Sequence, residues 1–291
     1  MNRHVKRSKP RYGFILVAAA LALTFCFATY KLGDWLLSAR REKNAFSQLS
    51  AIVAENSATP SPRPSQPPQE TAESEIEAVT HEDTPVVTEP PKQEYEAEPT
   101  SLPQYAPLYE MNADFFGWLS IEGTDVDYPV MYSPDRPEYY LNRAFDGTYS
   151  GSGVPFIDGH CPAEGNYYLI YGHHMQNKTM FGQLPKYADK DYCNEHPVIR
   201  FDTRFEQREY IVMAVFLSRI YGDEERGVFR YYEYFDLSDE AVFNEYVRQA
   251  KAAALYDTGI DAEYGDELLV LSTCNYHTAE GRFVVVANRI I

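Results

Sequence analysis

GDELLVLSTCNYHTAEGRFVVVANRII, residues 265–291, holds two apolar runs separated by a polar loop. Leu268–Thr273 and Phe283–Ile290 have the length and the branched apolar content of strands, and Gly, Asn and Asp punctuate them. Seven residues, Asn275 to Gly281, join Cys274 to Arg282. Paired as an antiparallel hairpin, the two runs put Arg282 across from Cys274. Arg289 would lie about 24 Å further along the strand and on its other face.

Six more strands are predicted upstream: Trp118–Ile121, Asp127–Met131, Val154–Ile157, Tyr167–Tyr171, Val198–Phe201 and Glu209–Ile220. The segment opening at Pro107 has helical spacing as far as Gly117. A long helix is predicted from the cap Ser238-Asp239-Glu240 to about Tyr256, with Val242, Phe243, Tyr246 and Val247 recurring on one face. Eight strands with few helices predict a mostly β domain over residues 108–291, an eight-stranded closed or nearly closed β-barrel.

The rest of the chain reads differently. Of 291 residues, 26 are Lys or Arg and 43 Asp or Glu, a formal net charge of −17. That balance argues against a nucleic-acid partner, which needs a basic face to neutralise phosphates. Four Cys exclude a disulfide-dense scaffold. Phe14 to Tyr30 is uncharged, too long for a typical signal h-region, and reads as an uncleaved membrane anchor, assigned to residues 14–37 with Trp35, Leu36 and Leu37 just beyond the run. Five basic residues precede it, which places residues 1–13 in the cytoplasm and everything beyond the span outside the cell, a single-pass topology. Cys26, inside the run, follows Thr24-Phe25 rather than small residues and so is not read as lipidated. Residues 38–107 read as a linker. Within them, Arg40 to Ala54 reads as a short helix leaving the membrane, and the stretch from Glu55 holds 11 of the 19 Pro, with eleven acids and two bases. Such a composition predicts a disordered, self-repelling spacer reaching roughly 40 Å as a flexible coil.

The chemistry sits at strand ends. Tyr171-Gly172-His173-His174 follows YYLIY, Leu271-Ser272-Thr273-Cys274 follows ELLV, and Arg282 starts RFVVVANR. Cys, His and Arg are the parts of acyl transfer through a thioester: a thiolate nucleophile, a proton carrier, and a fixed cation for the oxyanion. Each also has an ordinary reading, as a buried thiol, a turn histidine and a solvent-facing arginine. A Cys161–Cys193 bridge would leave Cys274 free. Zinc held by His160, Cys161, His173, His174 and Cys193 lacks a recognised ligand spacing, and the acids Asp223-Glu224-Glu225 read as a solvated loop rather than a calcium site. No metal or cofactor is expected.

Leu271-Ser272-Thr273-Cys274 with Arg282, and Tyr171-Gly172-His173, resemble the signatures of sortases. The resemblance is closest to class B, through Phe116-Gly117-Trp118-Leu119-Ser120-Ile121, Asp127-Tyr128-Pro129-Val130, His173-His174-Met175 and Asn177-Lys178-Thr179-Met180-Phe181. It covers residues 108–291 and implies a membrane-tethered cysteine transpeptidase of Gram-positive bacteria. By that resemblance Cys274 cleaves a C-terminal sorting signal of a secreted protein after Thr. His173, which follows Gly172, exchanges protons, and Arg282 stabilises the oxyanion. An amine of a cell-wall precursor or of a pilin takes the acyl group. Ser272 and Leu141 match positions that line the substrate groove. Asn275 departs from the acidic residue some class B members carry after the Cys, and the loop to Arg282 is shorter than in some. His174 points the other way if the strand continues through it, and otherwise reads as structural. Two rivals stand beside this reading: an anchored cysteine endopeptidase that releases the acyl group to water, and a catalytically silent surface-binding module.

Overall fold

A computed structural model describes residues 12–57 and 100–291. Most of the basic N-terminal segment and most of the Pro/Glu-rich stretch lie outside the described residues. Eight strands form one closed barrel: β1 (Phe115–Ser120), β2 (Asp127–Met131), β3 (Phe156–Ile157), β4 (Tyr167–Tyr171), β5 (Val198–Thr203), β6 (Glu209–Arg219), β7 (Leu268–Cys274) and β8 (Gly281–Arg289). Their order around the barrel is β1-β2-β3-β4-β7-β8-β6-β5. The pairs β2–β3 and β4–β7 are parallel, and the others are antiparallel. Strands β7 and β8 are buried almost end to end, so both of their faces are covered and they read as unbroken apolar runs.

Two expected elements shift for local reasons. The opening helix, α2 (Ala106–Met111), stops before Phe115, which already belongs to β1. Asn112 is extended and its side-chain oxygen accepts from the Asp114 amide at 2.9 Å, which turns the chain out of the helix. The strand expected from Val154 shrinks to Phe156–Ile157, because the Val154 amide donates to the Tyr140 carbonyl rather than to a neighbouring strand.

A short helix, α3 (Lys190–Glu195), precedes β5. The long helix, α4 (Glu240–Ala253), lies before the last two strands and buries Phe243, Tyr246, Val247 and Ala250 against β6. Val242, read onto the same face, is exposed. The Asp239 carboxylate accepts from the Val242 amide at 3.0 Å, closing the first turn. Asp239→Ala is expected to cost about 1 kcal/mol, read as a lower urea midpoint with an unchanged slope.

The N-terminal helix, α1 (Tyr12–Ser57), is one continuous helix. Its stretch Leu16–Gly33 is long and apolar enough to cross a membrane and is not buried by the rest of the chain. The helix expected over Arg40 to Ala54 is present as part of this longer one, which continues to Ser57, and its last turns dock on the barrel. Leu49 is buried with Tyr105, Leu108 and Trp118, while Ile52 and Val53 pack at the edge of that cluster. Phe46 meets Tyr128 edge-on, with 5.2 Å between ring centroids. The Ser50 hydroxyl donates to Asp127 at 3.0 Å, and the Trp118 indole donates to the other oxygen of the same carboxylate at 2.7 Å. Apolar burial supplies the adhesion, and these bonds satisfy the polar groups it covers.

Candidate active site

Three neighbouring strands end or begin at one rim of the barrel. Cys274 is the last residue of β7 and is exposed. In the β7–β8 register it stands directly opposite Arg282. The Asn275 amide donates to the Gly281 carbonyl at 2.8 Å, which closes the loop between them. On the other side of β7, parallel β4 pairs Tyr171 with Ser272. That pairing continues past the strand end, for the Gly172 amide donates to the Ser272 carbonyl and the Thr273 hydroxyl donates to the Gly172 carbonyl at 2.7 Å. The next residue on β4's side is His173, level with Cys274. Backbone register alone thus gathers Cys274, Arg282 and His173.

The side chains have definite partners. His173 Nε2 lies 2.8 Å from the Leu141 carbonyl. A carbonyl only accepts, so Nε2 carries the proton and Nδ1 is the nitrogen left for proton exchange. The Arg282 guanidinium donates to the carbonyls of Glu280 and Gly281, at 3.2 and 3.0 Å. Among the described residues it pairs with no carboxylate. Arg289, at the far end of β8, pairs with both Glu206 and Glu267. Its charge is already used.

His174 does not point away. β4 ends at Tyr171, so strand alternation no longer governs the histidines. His174 Nδ1 donates to the Cys274 carbonyl at 2.9 Å, and its ring lies over Tyr276, with centroids 5.6 Å apart. The turn needs Gly172, because a Cβ there would come within 2.7 Å of the Phe181 ring.

Of the two groove residues, Leu141 is half-buried and meets His173 through its carbonyl. Ser272 is buried, and its hydroxyl is bonded to Tyr231 at 2.7 Å. It therefore lies under the rim rather than on an open wall, because Tyr231 covers that face of β7. Tyr231 escaped the sequence reading; within Phe229-Arg230-Tyr231-Tyr232 nothing separates it from an ordinary core aromatic. Burial pushes its phenol well up, while the Ser272 bond and the Arg282 charge pull it down.

The other thiols are unlike Cys274. Cys161 and Cys193 are both free and buried, so the bridge weighed between them is not formed. Burial pushes the Cys161 thiol up to about 12 and raises Cys193 as well. Among the described residues no three His, Cys, Asp or Glu side chains gather as a metal site. His160 instead bonds Asp158 and stacks on Phe235. Glu225 is held by Arg219 and by the Gly222 amide.

The sortase-domain family model matches residues 119–290, more than half of the chain. The chain belongs to the sortase family. Its relatives place it in class B. Sortase B of Listeria monocytogenes is 29% identical over 182 residues, covering 61% of this chain and 70% of that protein. The solved Staphylococcus aureus sortase B–substrate complex is 25% identical with a TM-score of 0.58, covering 65% of this chain and 86% of that one. A sortase B complexed with triglycine is also 25% identical, with a TM-score of 0.57 over 65% of this chain and 86% of that one. Sortases are cysteine transpeptidases of the cell surface, acting on sorting signals and amine nucleophiles. The eight-stranded barrel and the helix before its last two strands are those of this class B sortase, and its apolar N-terminal helix precedes them.

Proposed function

We propose that this sortase cleaves a C-terminal sorting signal after Thr and joins the new end to an amine of the cell wall or of a pilin. The observation that carries the reading is the register that sets Cys274 opposite Arg282, with His173 two residues past the end of the adjoining strand. The Cys274 thiolate attacks the Thr carbonyl carbon, and the oxyanion that forms faces the Arg282 guanidinium. The C–N bond breaks, the leaving amine takes a proton from His173, and a thioester remains. The incoming amine attacks that thioester and gives its proton to His173, and the Cys274 thiolate is released. Leu141 and Ser272 support the groove, Leu141 beside His173 and Ser272 from beneath the rim.

α1 anchors the enzyme in a single pass, N-terminus in the cytoplasm and barrel outside. Its apolar stretch and the five basic residues before it support that orientation.

The test is mass spectrometry of the full chain in detergent with a panel of sorting peptides, with and without triglycine, the tripeptide held by one relative. A Cys274-linked acyl adduct that passes to triglycine is the expected result. Hydrolysed peptide with no triglycine product makes the protein an endopeptidase. No adduct with any peptide, together with a Cys274 no more reactive to thiol probes than Cys161 or Cys193, makes it a binding module.

A further inference from the structure

We propose that Glu42, on the helix that carries the apolar stretch, is a positioning residue for the catalytic rim. The proposal rests on the transpeptidase reading above and adds to it a residue outside the barrel. Glu42 sits on α1 about two and a half turns past Gly33 and is half-buried. Both of its carboxylate oxygens are engaged: Ser150 Oγ donates to one at 2.7 Å and Ser152 Oγ to the other at 2.6 Å. Those serines lie 108 and 110 positions away in sequence and are themselves buried. Hydrogen bonds to an ionised acceptor are about twice as strong as neutral ones, and two from separate residues fix the turn between them.

The turn passes that constraint to the site. The Gly153 amide donates to the Ser150 carbonyl, the Ser150 amide to Asn142 and the Val154 amide to Tyr140. Gly153 has φ of +58°, and a Cβ there would come 2.4 Å from the Leu141 carbonyl oxygen. Residues 150–153 therefore lie flat against the backbone of Tyr140 and Leu141. The Leu141 carbonyl in turn receives the Nε2 proton of His173. Four consecutive contacts join the helix to the histidine.

Docking alone does not require this carboxylate. Phe46, Leu49, Ile52 and Val53 already hold α1 to the barrel. A half-buried carboxylate there is costly unless it is bonded, and its bonds go to the loop rather than to the docking face. A groove of about 500 Å³, lined by Glu42, Leu49, Ile52, Phe145, Tyr149 and Ser150, opens beside that side of the loop among the described residues. Without the pin, fewer molecules hold Leu141 and His173 in the working arrangement. A ligand that needs that arrangement then shows a weaker apparent affinity, by the fraction lost.

The test uses the full chain in detergent with a sorting peptide and triglycine. Glu42→Gln keeps the shape and removes the charge and one acceptor. It is expected to raise the peptide KM about tenfold, with kcat changed less than twofold and the melting temperature nearly unchanged. Ser150→Ala/Ser152→Ala is expected to reproduce the rise, and the triple variant to add nothing to it. The His173 Nε2 proton, observed by NMR, exchanges faster with water in each variant. A lower melting temperature with KM and imidazole exchange unchanged overturns the proposal and leaves Glu42 a docking residue. Additive effects of the two sites also overturn it. If the parent chain turns over no peptide, the transpeptidase reading fails. The pin is then judged on imidazole exchange alone: faster in Glu42→Gln supports it, unchanged overturns it.

Discussion

Cys274→Ala is expected to remove acyl transfer entirely, with no thioester adduct at any peptide concentration. The covalent step has no substitute, because no other thiol is in position. Cys161 and Cys193 are buried, and burial holds both thiols away from the thiolate form. The fold should not notice the change. The Cys274 side chain is exposed at a strand end, and β7 keeps its full pairing with β4 and β8 through the backbone. Substitutions at such surface positions usually stay within about 0.5 kcal/mol. Intact-mass spectra and a thermal melt on the same sample check both halves of the expectation. A residual adduct in the alanine variant would move the nucleophile elsewhere.

Arg282→Lys is expected to lower kcat by about 10² to 10³, the usual loss when one oxyanion donor is removed, with a much smaller change in KM. The charge survives, so the loss measures geometry. A guanidinium presents a rigid fork of donors, whereas an ammonium is a point charge on a flexible stem. Arg282 is free for this task because, among the described residues, its guanidinium bonds the carbonyls of Glu280 and Gly281 and pairs with no carboxylate. Arg289→Lys is the matched control on the same strand. It weakens ion pairs with Glu206 and Glu267 and is expected to reduce stability while leaving kcat alone. Single-turnover kinetics on the two variants separate the roles. Full activity in Arg282→Lys would remove the guanidinium from the oxyanion step.

The parts of this architecture that were legible in the sequence are those set by local pattern. The apolar runs of β2 and β4 have the bounds expected, and the β7–β8 loop length predicts the partner of Cys274. What was not legible depends on residues meeting across the chain. The helix over Arg40 to Ala54 was legible, but not its unbroken run from the apolar stretch nor its docking beside Leu108 and Trp118, which depends on residues far along the chain. The direction of His174 turned on where β4 stops, which the sequence does not mark, and the bond to the Cys274 carbonyl joins residues 100 positions apart. The place of Ser272 under Tyr231 was missed because 41 positions separate them and neither carries a mark of the other. Glu42 carries no mark of its role in the sequence, because the two serines that hold it lie 108 and 110 positions away.

An unbroken helix from the apolar stretch to the barrel sets an altitude. Nine residues separate Gly33 from Glu42, about 13 Å of rigid rod. With α1 anchored as proposed, the helix itself ties the barrel to the bilayer, and the Pro/Glu-rich spacer does not govern its height. About four residues of extended chain cover the same rise. Client proteins should therefore be selected by the distance of the scissile bond from their own embedded tail as well as by their match to the preferred motif.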